Sequence, residues 1–219
     1  MKISFHKTFL SGLLMLLASS TLFAASETHL EPSGVNIKDM AALQRGAGLF
    51  VNYCLSCHSA SYMRYTRLAQ DLELSEEVVM ENLVFSDAKI GETMEISMQA
   101  EDAERWFGKA PPDLSLVGRS RGSDWLYAYM RSFYEDESGE WNNHVLPNVA
   151  MPHVLWQLQE SLSPEEYDNT VRDLVTFLDY LGEPAKLHRK NIGVWVILFL
   201  AVFAFLTYLL KAEYWRDVH

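Results

Sequence analysis

Cys54-Leu55-Ser56-Cys57-His58 is the stretch from which the rest of the sequence is read. It holds the only 2 cysteines in 219 residues, three positions apart, with a histidine directly behind the second. That spacing reads as a covalent haem attachment site. Two thiols add across the two vinyl groups of one haem, and the histidine reaches the iron from the proximal side. Structural zinc usually takes four ligands, and no second cysteine pair exists. A redox CxxC normally follows a strand in a thioredoxin-like pattern, and none surrounds residues 54–58. A plain Cys54–Cys57 staple is the remaining alternative, and it would show no visible absorption.

Upstream, residues 38–53 have helical periodicity, with Met40, Leu43, Ala47 and Phe50 on one face. Gly46 stands two turns before the motif, where a missing side chain lets another helix cross closely. Phe50 fills the junction one turn later. Downstream, residues 62–83 read as helical in parts, with a helix start at Ser75-Glu76-Glu77. Residues 91–104 are acidic and carry Met94 and Met98. In Ala110-Pro111-Pro112-Asp113-Leu114-Ser115 the two prolines remove two amide donors and force an extended path. Such a rigid loop can hold a carbonyl against a ring nitrogen of His58, orienting the imidazole and raising its donor strength. Pro111 is the loop residue expected at the cofactor.

Arg119 and Arg121 follow, then an aromatic, helix-like segment over residues 125–134. Residues 135–140 read as a solvated acidic loop, and residues 142–152 as a turn-rich loop ending in Met151-Pro152. Ser163-Pro164-Glu165-Glu166 opens the clearest helix: a serine cap, proline in the first turn, then acids. Its buried stripe is Tyr167, Val171, Leu174, Val175, Leu178 and Leu181, and Gly182 and Pro184 end it.

Both ends carry membrane signals. Residues 1–25 read as a secretory signal peptide, with Lys2 and Lys7 before a short apolar run and Ala24-Ala25 at the cleavage site. Residues 26–190 form the exported domain. Residues 191–211 form a transmembrane anchor and 212–219 a cytoplasmic tail. The charge-free run 192–210 spans roughly 28 Å as a helix, about one hydrocarbon core. Residues 183–191 read as its tether. The positive-inside rule runs against this orientation, since Lys186, Arg189 and Lys190 precede the run and only Lys211 and Arg216 follow it. The signal peptide and the haem motif outweigh that difference. Formal charge is −11 at pH 7. An acidic surface disfavours nucleic acid and can steer a basic soluble partner.

These pieces resemble class I cytochrome c, and more closely the cytochrome c1 family of the cytochrome bc1 complex. The resemblance lies in Cys54-Leu55-Ser56-Cys57-His58, residues 110–115 with the arginines behind them, residues 141–152, and a last helix leading into a C-terminal anchor. It implies a mainly α, class I cytochrome c-like domain carrying one haem c. Cys54 and Cys57 become the thioether links, and His58 and Met151 the axial ligands. Arg121 becomes the contact to a haem propionate, with Arg119 its neighbour. The implied partners are the cytochrome b and Rieske iron–sulfur subunits and a cytochrome c acceptor. The implied location is a bacterial inner membrane, with the haem domain in the periplasm.

For the sixth ligand, Met63, Met80 and Met130 read as core, while Met94 and Met98 lie in a polar stretch. His144 or His153 would give bis-histidine ligation. Met151 sits in a proline-bounded loop suited to the open haem face. A cytochrome c subunit of another respiratory complex, or a haem enzyme with an open iron site, are the competing functions.

Overall fold

The computed structural model describes residues 30–218. The expected signal peptide lies outside the described residues. The elements below belong to one compact unit, Pro32–His219.

Helix α1, Met40–Leu49, begins where the Asp39 carboxylate accepts from the Ala42 amide, capping an otherwise orphaned donor. It buries Ala42, Leu43, Gly46 and Ala47. It then passes into a π-helical turn, Phe50–Cys54, in which the Leu55 amide reaches back to the Phe50 carbonyl. One extra residue is thereby looped into the helix immediately before the haem motif, and such bulges are frequent at functional sites.

The chain continues through strand β1 (Ala60–Arg64), helix α2 (Tyr65–Asp71), helix α3 (Glu76–Asn82), strand β2 (Thr93–Met94) and helix α4 (Ala100–Phe107). Helices α5 (Val117–Arg121) and α6 (Ser123–Arg131) follow, then the hairpin β3 (Phe133–Glu135) and β4 (Trp141–Asn143). Helix α7 (Trp156–Ser161) leads to α8 (Pro164–Gly182) and α9 (Lys186–Tyr214). The fold is mainly helical, with two small antiparallel pairs, β1–β2 and β3–β4.

Helix α8 is the centre of the domain. Its N-terminus is a complete capping box: the Ser163 hydroxyl serves the Glu166 amide and the Glu166 carboxylate serves the Ser163 amide. Every residue of the expected apolar stripe is buried. Helix α1 crosses it at Gly46, where an added Cβ would sit 2.1 Å from the Asp173 carbonyl oxygen. Helix α5 crosses it at Gly118, where a Cβ would sit 2.4 Å from the Leu178 carbonyl oxygen. Between these crossings Phe50 packs on Phe177 with ring centroids 5.5 Å apart, both fully buried. Fully burying a side chain of this class contributes roughly 1.5–3 kcal/mol.

Three expectations need correction. The helical reading of 62–83 starts too early, because residues 60–64 are strand. Their amides are taken by distant groups: Ser61 by the Asp113 carboxylate, Tyr62 by the Ser115 hydroxyl. No local periodicity encodes those partners. The helix-like reading of 125–134 runs too far, because α6 ends at Arg131 and residues 133–135 are strand; the acidic segment 135–140 is a turn as expected, with Asp136 accepting the Ser138 and Glu140 amides and Gly139 in the left-handed region at φ 81°. Residues 183–191 are not a loose tether, because α9 is helical from Lys186 onward.

That last helix is 29 residues long and contains an 18-residue stretch of mean hydropathy 2.5, long and apolar enough to cross a membrane. Its first turn is docked on the domain. Lys186 Nζ meets the Asp179 carboxylate at 2.7 Å, Leu187 packs on the core, and Arg189 pairs with Glu183. Two of the basic residues that oppose the positive-inside rule therefore have structural partners on this side of the span.

Candidate haem site

Cys54 closes the π turn on the buried side, and Cys57 lies half-buried. The Cys57 and His58 amides both fold back onto the Cys54 carbonyl, at 3.0 and 2.8 Å, so the five residues form one tight turn. Both cysteines are free thiols. Burial, then the neighbouring Cys57, pushes the Cys54 thiol up to about 12, so it is neutral at pH 7.

His58 is held from one side only. Its Nδ1 donates to the Pro112 carbonyl at 2.7 Å. A carbonyl can only accept, so this contact places the proton on Nδ1 and leaves the Nε2 lone pair for a metal. Burial lowers the imidazole's pKa, against the opposing pull of Pro112 and Asp113, and this favours the neutral, ligating form. The loop carrying that carbonyl is clamped in turn. The Leu114 amide donates to the Ser59 carbonyl at 2.8 Å, and Asp113 accepts from the Ser61 amide and hydroxyl at 3.0 and 2.7 Å. Lost solvation pushes the Asp113 carboxyl up, but hydrogen bonds from Ser115 and Ser61 outweigh it and hold the group below its ordinary range. The loop residue whose carbonyl meets His58 is Pro112, the neighbour of Pro111.

A second cluster gathers the other expected residues. The Arg121 guanidinium lies 4.8 Å from the centroid of Trp125, and Trp125 stacks on Tyr129 at 5.0 Å and 9°. The Tyr129 hydroxyl donates to Met151 Sδ at 3.5 Å. Burial pushes the Tyr129 phenol up to about 12, so it remains a donor at neutral pH. Arg119 is committed elsewhere, to Glu183 at 3.1 Å.

The Met151 loop is shaped by Asn143, a fully buried residue. Its amide nitrogen donates to the Tyr129 carbonyl at 2.8 Å, while its oxygen accepts the Val145 and Leu146 amides and the Ser132 hydroxyl. Asn142 accepts the Asn148 amide at 2.9 Å. Several of the rival ligands are engaged elsewhere. His144 stacks on Tyr134 at 4.1 Å. His153 is buried, stacks on Phe133, and joins Gln159 through Nε2 at 2.5 Å. Met63, Met94 and Met130 are core residues, so Met94 leaves the polar stretch in which the sequence places it.

The donor set fits haem c: two free thiols on one turn, an imidazole with Nε2 available, and a thioether on a shaped loop. His153 Nδ1, the one buried side-chain polar atom without a partner among the described residues, lies two positions beyond Met151.

The roles of Asn143, Ser61, Ser115 and the Trp125–Tyr129 pair are not foreseen in the sequence. Only the last had a local signal, two aromatics four apart on a predicted helix.

Residues 33–218 match the model of the Cytochrome C1 family. The chain is 44% identical over 243 residues to a cytochrome c1 of Allochromatium vinosum, covering 98% of this chain and 100% of that one. It is also 44% identical over 215 residues to a protein of Nitrosomonas europaea named ammonia monooxygenase gamma subunit, covering 90% and 92%. Against the mitochondrial cytochrome c1 heme protein of Saccharomyces cerevisiae it is 25% identical over 211 residues, covering 82% and 68%. The chain therefore belongs to the cytochrome c1 family, the haem subunits of bc1 complexes, which carry covalently bound haem c.

Proposed function

We propose that this chain passes single electrons from the Rieske iron–sulfur subunit to a cytochrome c acceptor, within a quinol–cytochrome c reductase that also contains cytochrome b. Cys54 and Cys57 would hold the haem, His58 and Met151 would ligate its iron, and Arg121 would serve a propionate. Helix α9 anchors the chain once in a bacterial inner membrane, with the haem domain in the periplasm. Bound haem c supplies a one-electron couple. The Pro112 carbonyl fixes the His58 tautomer, the 110–115 loop holds the ring in place, and the Asn143 network shapes the loop whose Met151 packs against the core. The observation carrying this reading is the 2.7 Å bond from His58 Nδ1 to Pro112, which leaves Nε2 for iron.

A subunit role in an ammonia monooxygenase rests on the name of one relative. The two readings separate on purification of the complex from its membrane. Cytochrome b and a Rieske protein should travel with this chain, and quinol should reduce its haem only while the Rieske protein is present. Co-purification with monooxygenase subunits, or reduction without a Rieske protein, would contradict the proposal.

The docked base of α9 sets where the anchor can be removed. Ending the chain after residue 191 keeps the pairs Lys186–Asp179 and Arg189–Glu183. It should release a soluble red domain with an unchanged spectrum, while quinol oxidation in the membrane is lost. Ending it after Gly182 also removes the partners of Asp179 and Arg119. Pairs of this partly exposed kind contribute up to about 1 kcal/mol each. The shorter domain should therefore melt about 2–4 °C lower for each kcal/mol lost. Equal melting temperatures would show that the contacts at the base of α9 contribute nothing.

A further inference from the structure

We propose that Tyr129 is a positioning residue that raises the haem's reduction potential through a hydrogen bond to the sulfur of Met151. The inference rests on the reading of Met151 as the sixth ligand. It begins from how tightly the phenol is held. The Tyr129 ring is stacked on Trp125 at 5.0 Å and meets the edge of Phe133 at 5.1 Å and 69°. Its carbonyl is gripped by the fully buried Asn143 at 2.8 Å. Three elements, α6, β3 and β4, therefore set the position of one hydroxyl, and that hydroxyl donates to Met151 Sδ at 3.5 Å.

A thioether sulfur has two lone pairs. One can bind iron while the other accepts the phenol, so the contact is compatible with ligation. A donated hydrogen bond draws electron density from the sulfur. The weakened donor stabilises the ferric state less than the ferrous, and the potential rises. The face of Trp125 also carries the Arg121 guanidinium at 4.8 Å, so the residue expected at the propionate and the residue on the ligand share one aromatic stack.

The test uses the full-length holoprotein and two substitutions at one position. Tyr129→Phe removes the donor and keeps the ring. Site-specific 3-fluorotyrosine at position 129 keeps the shape and strengthens the donor. Both are followed by spectroelectrochemical titration and by the near-infrared sulfur-to-iron charge-transfer band of the ferric form. Tyr129→Phe should retain that band and shift the ferrous-to-ferric ratio about threefold toward ferric at a fixed applied potential, roughly 28 mV at 59 mV per decade. The fluorinated protein should shift the opposite way. If Tyr129→Phe loses its haem, the fluorinated protein decides alone: a rise supports the proposal and no change overturns it. A retained sulfur band with unchanged ratios overturns the role of Tyr129 and leaves Met151 ligation standing. A wild-type protein with no sulfur band, or one whose band survives Met151→Leu, overturns the ligation itself and this inference with it.

Discussion

Met151→Leu is expected to leave the haem on the chain, lower its reduction potential by on the order of 0.1–0.2 V, and let carbon monoxide bind the ferrous iron. Leucine has nearly the volume of methionine, so the substitution is among the mildest that a packed loop can receive, costing less than about 1.5 kcal/mol. Attachment rests on Cys54 and Cys57, which lie in a different cluster of contacts. What changes is the donor. Thioether sulfur is a soft, neutral ligand that favours ferrous iron, and its loss opens one axial position to water or a gas. The near-infrared band should vanish and the visible spectrum should move toward a high-spin form. If Met151→Leu keeps the wild-type spectrum and potential, another residue is the ligand. His153 is then the first to examine, since its Nδ1 is buried and unpartnered.

Gly46→Ala should cost more stability than most single substitutions in this chain. Alanine is the better helix former by about 1 kcal/mol, so the local preference of α1 favours the substitution. The packing opposes it. The new Cβ would lie 2.1 Å from the Asp173 carbonyl oxygen and 2.8 Å from Phe177 Cβ. Backbone cannot swing aside as a flexible side chain can, so α1 and α8 must separate. That displacement reaches Phe50 and the π turn carrying Cys54. Overpacking of this kind typically costs about 1–3 kcal/mol, and this site belongs at or beyond the top of that range. Against a total of roughly 5–15 kcal/mol, the effect should be plain in a urea titration and in the yield of haem-loaded protein. Gly48→Ala is the control, because a Cβ there meets nothing within 4 Å. It should be neutral or stabilising. Equal losses at both positions would remove the crossing from the explanation.

The features legible in the sequence were those encoded within a few residues. The CxxCH spacing, the serine–proline start of α8 and its apolar stripe each use local chemistry, as does the small residue at position 46 followed by an aromatic one turn later. The proline loop was legible as rigid. Which of its carbonyls meets His58 was not, because Pro111 and Pro112 have the same backbone preferences and differ only in where the Asp113 clamp sets them. Residues 60–64 escaped the reading because their amides are satisfied by Asp113 and Ser115, half a hundred positions away. Asn143 looks like a turn residue and proves to be the buried organiser of the Met151 loop. Gly118 carries no local signal of its role, although it is a second close crossing onto α8. In each case the missing information is a contact between segments remote in sequence.

Everything proposed for this chain depends on Cys54 and Cys57 holding the haem by covalent bonds. Acid–acetone extraction of the purified, denatured chain, followed by proteolysis, tests it most directly. The haem should stay with the protein, give a pyridine haemochrome of the two-thioether type, and appear on a single peptide containing Cys54 and Cys57. Haem that passes freely into the acetone, or that is recovered on no cysteine-containing peptide, would contradict it.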